Sequence, residues 1–331
     1  MADYKGIQGY SVQTLASDPS PAANVLGQLW YNSTSATYKL AAAGAGAWSS
    51  GGNLSAAKHS PGGAGTQTAA LCMGGILSPG SPMDESESYD GTSWTEGNNL
   101  NAAIAYNTGI GSQTAALSCG GTSASTVVQS YDGTSWSEGT AMNTGRGIAA
   151  GAGIQTGALM FGGGEPQIDN TETWNGSTWT EVGDLSGVRM GMAGFGATNT
   201  AAICAGGRPS PPISRPDLDL NLSETWNGSS WSEGNNLNTA RRFLAGSGTT
   251  TAGIVFGGAT TGPGSVKMDE TEQYDGTSWT EVADMATGRQ AESATSSPSS
   301  LSLAFAGQTP LSNLTEEWNG APVTVKTVTA S

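Results

Sequence analysis

Ten residues after each of Trp48, Trp94, Trp136, Trp179, Trp231 and Trp279 the chain places Lys58, Ile104, Arg146, Arg189, Arg241 and Arg289. Five of these six positions are cationic, in a chain with only 12 Lys and Arg among 331 residues. If the intervening segments fold alike, the five side chains converge. A convergent set of cations holds an anion, such as an acidic sugar or a partner's carboxylates, because hydrogen bonds between ionised groups are short and strong. The same spacing serves a structural use equally well, each cation bonding the carbonyls or acids of a neighbouring element and closing the assembly. The two uses are compatible, and the sequence alone leaves both open.

Other chemistry finds little material. His59 is the only histidine, which excludes histidine metal clusters and restricts a Ser-His-Asp triad to one residue. Its place beside Lys58 reads as surface. No phosphate-cradling loop or dinucleotide fingerprint occurs in a suitable context. Asp217-Leu218-Asp219-Leu220-Asn221 alternates acids like half of a calcium loop but lacks the glycine and terminal glutamate. The expectation is therefore no catalytic residue, no metal and no cofactor. Cys72, Cys119 and Cys204 are an odd set at one repeat position and read as small buried apolar residues. A formal charge of −15 disfavours nucleic acid and anionic lipid. No apolar run approaches the ~20 residues that span a bilayer, and Met1-Ala2-Asp3-Tyr4-Lys5 opens no signal-peptide core, so synthesis and folding in a cytoplasm are expected.

The elements that must position the cations are repeats. After each Trp, 26 or 27 residues on, comes a small pair: Gly74-Gly75, Gly120-Gly121, Gly162-Gly163, Gly206-Gly207, Gly257-Gly258 and Ala306-Gly307. An aromatic follows each pair: Tyr89, Tyr131, Trp174, Trp226, Tyr274 and Trp318. Apolar runs before the pairs, such as Gly157-Ala158-Leu159-Met160-Phe161, predict strands buried on both faces. Segments such as Tyr89-Asp90-Gly91-Thr92-Ser93-Trp94 predict hairpins, with the glycine supplying turn dihedrals. A Gly- and Ala-rich stretch after each cation, Gly147 to Gly151 for example, predicts a strand for a narrow centre. The period of 42 to 52 residues suits a four-stranded unit.

Between each Gly pair and the next aromatic lies a loop of varying length, the usual place for binding on a rigid scaffold. Its candidates are Arg208, Arg215, Asp217 and Asp219 in the fourth repeat and Lys267 in the fifth. Two acidic series also recur. Glu96, Glu138, Glu181, Glu233 and Glu281 read as rim residues. Glu87, Gln129, Glu172, Glu224, Glu272 and Glu316 precede the aromatic and are explained by solvation, edge protection and strand pairing. The outer strand of the last repeat has two candidate sources, Val323 to Val328 or the residues leading into Trp48.

The order of Gly-Gly, aromatic and Trp, with an Arg before the innermost strand, resembles the kelch repeat over roughly residues 48 to 328. This resemblance implies an all-β fold, a six-bladed kelch-like β-propeller over residues 48–331 with a short amino-terminal arm over residues 1–47. Kelch propellers include enzymes, adaptors and structural proteins, so the resemblance speaks to fold rather than function. Ser88-Tyr89-Asp90-Gly91-Thr92-Ser93-Trp94 also resembles the Asp-box of sialidases, without the residue that normally separates Asp from Gly.

In the arm, Gly27-Gln28-Leu29-Trp30-Tyr31-Asn32 leads through a polar turn to Tyr38-Lys39 and reads as a hairpin. The stretch resembles segments of tailed-phage fibre and virion proteins, and the Ala/Gly/Thr-rich repeats resemble marine phage structural proteins. That implies a non-enzymatic virion component. Trp30, Tyr31 and Tyr38 would dock the arm on other virion proteins, with the chain oligomeric in the particle. The propeller would face a host-surface receptor or polysaccharide. The alternative is a glycan-binding lectin or sialidase-like hydrolase, which predicts sugar binding or hydrolysis by the isolated chain.

Overall fold

The computed structural model describes residues 12–19, 28–43, 46–78, 80–164, 166–209, 219–261, 266–296, 298–308, 310–320 and 323–328. Among these residues there is no helix, and the strands separate into two compact units, Ala47–Asn319 and Met1–Gly46 with Gly320–Ser331. The all-β expectation therefore holds.

The larger unit contains six four-stranded antiparallel sheets. Sheet 1 comprises Gly62–Thr66, Ala69–Met73, Ser86–Tyr89 and Trp94–Glu96. Sheet 2 comprises Thr108–Ser112, Ala115–Cys119, Val128–Tyr131 and Trp136–Glu138. Sheet 3 comprises Ala150–Ile154, Gly157–Phe161, Thr171–Trp174 and Trp179–Glu181. Sheet 4 comprises Ala193–Thr198, Ala201–Ala205, Ser223–Trp226 and Trp231–Glu233. Sheet 5 comprises Ala245–Thr249, Ala252–Phe256, Thr271–Tyr274 and Trp279–Glu281. Sheet 6 takes Ser293–Ala294, Leu301–Phe305 and Thr315–Asn319 from the last repeat, and its outer strand is Ala47–Ser50, with Trp48 opposite Trp318. Of the two candidate sources, the residues leading into Trp48 thus supply this strand. Val323–Val328 pairs instead with Thr37–Ala43 in the smaller unit, so this strand leaves the repeat region to which the sequence assigned it.

No sheet has a core of its own. Leu71, Met73, Tyr131 and Trp136 pack between sheets 1 and 2, and four similar clusters fill the next four junctions. A sixth joins Leu303 and Phe305 of sheet 6 to Cys72 and Tyr89 of sheet 1. Each junction buries a strand that is apolar on both faces, as the continuous runs before the Gly pairs require. Three outer tryptophans stitch their sheet to the one before it: Trp94 Nε1 donates to Thr315 Oγ1 at 2.8 Å, Trp231 to Thr171 at 2.9 Å and Trp48 to Thr271 at 3.0 Å. The innermost strands meet backbone to backbone. A Cβ on Gly109 would lie 2.4 Å from the Gly63 carbonyl oxygen, which is why small residues dominate there.

These strands begin later than the sequence suggested. In sheet 3 the first strand is Ala150–Ile154 rather than Gly147 to Gly151, because the residues after the cation do something else. Ile148 N–H donates to Tyr106 O, Gly191 to Ile148, Phe243 to Gly191, Ala291 to Phe243, Ser60 to Ala291 and Tyr106 to Ser60. The chain of donors returns to its start after six bonds of 2.6–3.0 Å. Every member has positive φ, between 52° and 65°.

Trp48 also packs edge-on against Phe256 at 4.8 Å between ring centroids. Trp48→Ala is expected to lower the stability of the larger unit by about 2–4 kcal/mol, slightly below the range for a fully buried Trp. Deleting residues 323–331 is expected to leave that unit's urea transition unmoved. Equal losses in the two variants would show that Trp48 is not what completes sheet 6.

In the smaller unit, Leu29–Asn32 and Thr37–Ala43 form the expected hairpin, flanked by Gln13–Leu15 and Val323–Val328.

Candidate functional site

The five repeated cations do not line an exposed basic mouth. Lys58, Arg146 and Arg241 are 0% exposed, and Arg189 and Arg289 are 1% exposed. Each meets a buried glutamate on the third strand of its own sheet: Lys58 with Glu87 at 2.8 Å, Arg146 with Glu172 at 2.7 Å, Arg241 with Glu272 at 2.5 Å, Arg289 with Glu316 at 2.7 Å, and Arg189 with Glu224. The structural use of the cations is the one that the geometry carries.

In sheets 3 and 5 the pairs survive burial because their remaining hydrogen-bonding capacity is used. Arg146 also donates to Gly162 O at 3.2 Å and Asn170 O at 2.8 Å. Glu172 accepts from Asn143 N at 2.8 Å and Thr144 N at 3.0 Å. Arg241 and Glu272 repeat this with Gly257, Glu270, Asn238 and Thr239. Asn143 and Asn238 lie in the segments that enter sheets 3 and 5 from the sheets before them. Each ion pair therefore latches an incoming connection onto its new sheet. Desolvation pulls the Arg146 guanidinium below its ordinary pKa, and Glu172 opposes it.

Solvation and edge protection thus fail to account for Glu87, Glu172, Glu224, Glu272 and Glu316, which are buried partners. Only Glu96, Glu138, Glu181, Glu233 and Glu281 are exposed at the rim. The missed signal lay in the second repeat. There the cation is Ile104 and the acid is Gln129, so both charges disappear together. Gln129 Oε1 still accepts from Asn101 N at 2.7 Å. It keeps the backbone bond without needing a counterion.

What remains for recognition lies where the connections, the variable loops and the six bonded residues come together. Their leading segments line a central opening, with Ser60, Tyr106, Ile148, Gly191, Phe243 and Ala291 around it. His59, expected on the surface, is half-buried. Its Nδ1 lies 3.0 Å from Ser60 Oγ, its ring is 6.2 Å from Tyr106, and burial lowers its pKa. Arg242 lies 5.6 Å above the Phe243 ring and pairs with Asp219 at 2.9 Å, and Thr261 Oγ1 donates to the same carboxylate at 2.8 Å. Lys267 is close enough to Arg242 for that charge, after desolvation, to lower its pKa. Arg208 belongs to a two-stranded ladder with Arg189–Met190. Of the five loop candidates, the structure thus gathers Asp219 and Lys267 around Arg242 and sets Arg208 against the segment before sheet 4. Arg215 and Asp217 lie outside the described residues.

Beside the central opening is a cavity of about 480 Å³, lined by Tyr106, Thr122, Ser123, Ala124, Ile148 and three glycines. No cluster of three or more metal-ligating acids, histidines or cysteines occurs among the described residues. Cys72, Cys119 and Cys204 are free and buried, and desolvation raises all three thiols.

In the smaller unit the three proposed docking aromatics differ. Trp30 is 2% exposed, and its indole donates to Asp18 at 3.1 Å, so it is core. Tyr31 is half-buried against Tyr38, and Tyr38 is 50% exposed. Bonds to the Asp18 carboxylate, that from Asn32 foremost, hold its pKa below the ordinary value. Compared with protein-family models and with curated protein sequences, the chain matches none.

Proposed function

We propose that this chain is a non-enzymatic structural and attachment protein of a tailed-phage particle. In this reading the larger unit is a six-bladed kelch-like β-propeller. Six like sheets, a core divided among six junctions and a cycle of bonds returning to its start support that reading. The smaller unit, with Tyr38 exposed, docks on other virion proteins, and the face with the central opening meets the host surface.

The observation that carries the proposal is the use to which the repeat puts its ionisable residues. The five cations that spacing offered for chemistry are each sealed against a buried glutamate within the fold. Loop residues are left to vary on a rigid base, the arrangement of a display scaffold. The sialidase-like alternative loses its support for the same reason, since an arginine already bound to a buried glutamate is unavailable to a substrate carboxylate. Its lectin half survives as the attachment role.

The test is mass spectrometry of purified particles. The full chain is expected in fixed stoichiometry with the other virion proteins. A chain lacking residues 1–46 keeps Ala47 and the Trp48 strand, and it is expected to fold yet be missing from particles. Particles from the source that never contain the full chain would defeat the proposal.

A further inference from the structure

The six residues around the central opening share a backbone conformation that glycine adopts freely and other residues do not. Five of the six are nevertheless not glycine, and three are bulky: Tyr106 at φ 58°, Ile148 at 54° and Phe243 at 52°. A β-branched residue there is an outlier, and each non-glycine residue in this conformation costs about 1–2 kcal/mol. All three side chains are half-buried beside the opening. Gly191 shows that the cycle accepts glycine, and there the Phe243 ring covers the space that a side chain would need. Backbone strain of this kind gathers at functional surfaces.

The adjoining cavity has a matching character. It is lined by one aromatic ring, the aliphatic side chains of Ile148 and Ala124, three hydroxyl-bearing residues counting Tyr106, and glycine backbone, with no charged side chain. Ser123 and Ala124 also have positive φ, 63° and 50°, and among the described residues their N–H groups make no hydrogen bond. The loop above the cavity, between Gly121 and Val128, is the shortest of its kind. It belongs to the one sheet without the ion-pair latch. Over sheets 4 and 5, by contrast, Arg242, Asp219 and Thr261 bond together.

We propose that Tyr106 and Ile148, with the donors of Ser123 and Ala124, bind an uncharged pyranose ring. A pyranose has one face of C–H groups and an edge of hydroxyls, which suit an aromatic face flanked by peptide donors. The volume lies within the range of small-ligand sites. A charged sugar would lose hydration without gaining a counterion. The proposal deepens the attachment reading and rests on it for the choice of face.

The test is saturation-transfer NMR on the purified full chain with the methyl glycosides of glucose, galactose, mannose and N-acetylglucosamine, and with N-acetylneuraminic acid as the charged control. At least one neutral glycoside is expected to bind, and the acid is not. Tyr106→Ala is expected to weaken binding at least tenfold. Ile148→Gly, which relieves strain, is expected to weaken binding at least threefold while raising the melting temperature, a combination that loss of folding does not produce. Binding by none of the four, equal binding of the acid, or an unchanged affinity in Tyr106→Ala would overturn the proposal. Particle composition decides the virion reading separately. Sugar binding without incorporation defeats only that reading, and incorporation without sugar binding defeats only this one.

Discussion

Glu272→Ala is expected to destabilise the six-sheet unit by about 3–5 kcal/mol, the usual cost of leaving one member of a buried ion pair alone. It strands the Arg241 guanidinium, which is 0% exposed, and removes the acceptor for Asn238 N–H and Thr239 N–H. Arg241→Ile is expected to cost a similar amount, because Glu272 is equally buried. The double variant Arg241→Ile/Glu272→Gln copies Ile104 and Gln129 of sheet 2. It removes both charges while keeping an acceptor for the backbone, and is expected to recover most of the loss, with a coupling of about 2–3 kcal/mol between the sites. Urea titrations followed by tryptophan fluorescence of the parent, Arg241→Ile, Glu272→Gln and the double variant measure the four corners of the cycle. Additive single effects would show that the pair does not act as a latch.

The second large effect concerns Glu292. At this repeat position sheets 4 and 5 carry Met192 and Leu244, which lie under the glycine pairs of the preceding sheets. Glu292 occupies the same place beside Gly257, is 7% exposed, and finds no hydrogen-bond partner for either carboxylate oxygen. The nearby Gly258 N–H is already given to Arg289 O. Desolvation therefore pushes its pKa up to about 8, with Arg289 and Arg241 only partly opposing.

A carboxyl whose folded-state pKa is raised binds more protons folded than unfolded between the two values. Stability therefore falls as pH climbs from its ordinary value of 4.5 to about 8 and stays low above that. The loss is about 3–5 kcal/mol at one unit of pKa per 1.4 kcal/mol. Glu292→Gln is expected to remove this part of the pH dependence, so the variant gains on the parent at pH 9 relative to pH 5. Taking the difference between the two proteins cancels the titration of His59. Parallel pH profiles for parent and variant would show that Glu292 is ionised throughout.

The repeat was legible because its landmarks have short-range causes. The glycines at positions such as Gly91, at φ 91°, mark hairpins, and continuous apolar runs mark strands enclosed on both sides. The latch was not legible as such because it joins residues 26 to 38 apart through a fold that had first to be known. Its trace was the paired loss of charge at Ile104 and Gln129. The innermost strands start later than the sequence suggests for a related reason. Residues such as Gly147 and Ile148 are spent on bonds between sheets, and no local preference announces such a bond, since isoleucine is a poor choice for positive φ. Trp30 reads as a docking residue because nothing near it in the sequence announces burial, and the fold encloses it with Asp18 accepting from its indole.

The pairing of Ala47–Ser50 with Thr315–Asn319 has a consequence for biosynthesis. The strand made first waits for a partner made about 265 residues later. At ribosomal speeds of about 5–20 residues per second, that interval is roughly 15–50 s. During this time five sheets are translated while Trp48 lacks Trp318, its partner across the ladder. Translation that stalls before Thr315 leaves an apolar edge open, so chaperone demand should peak late in synthesis and collapse once the final repeat emerges.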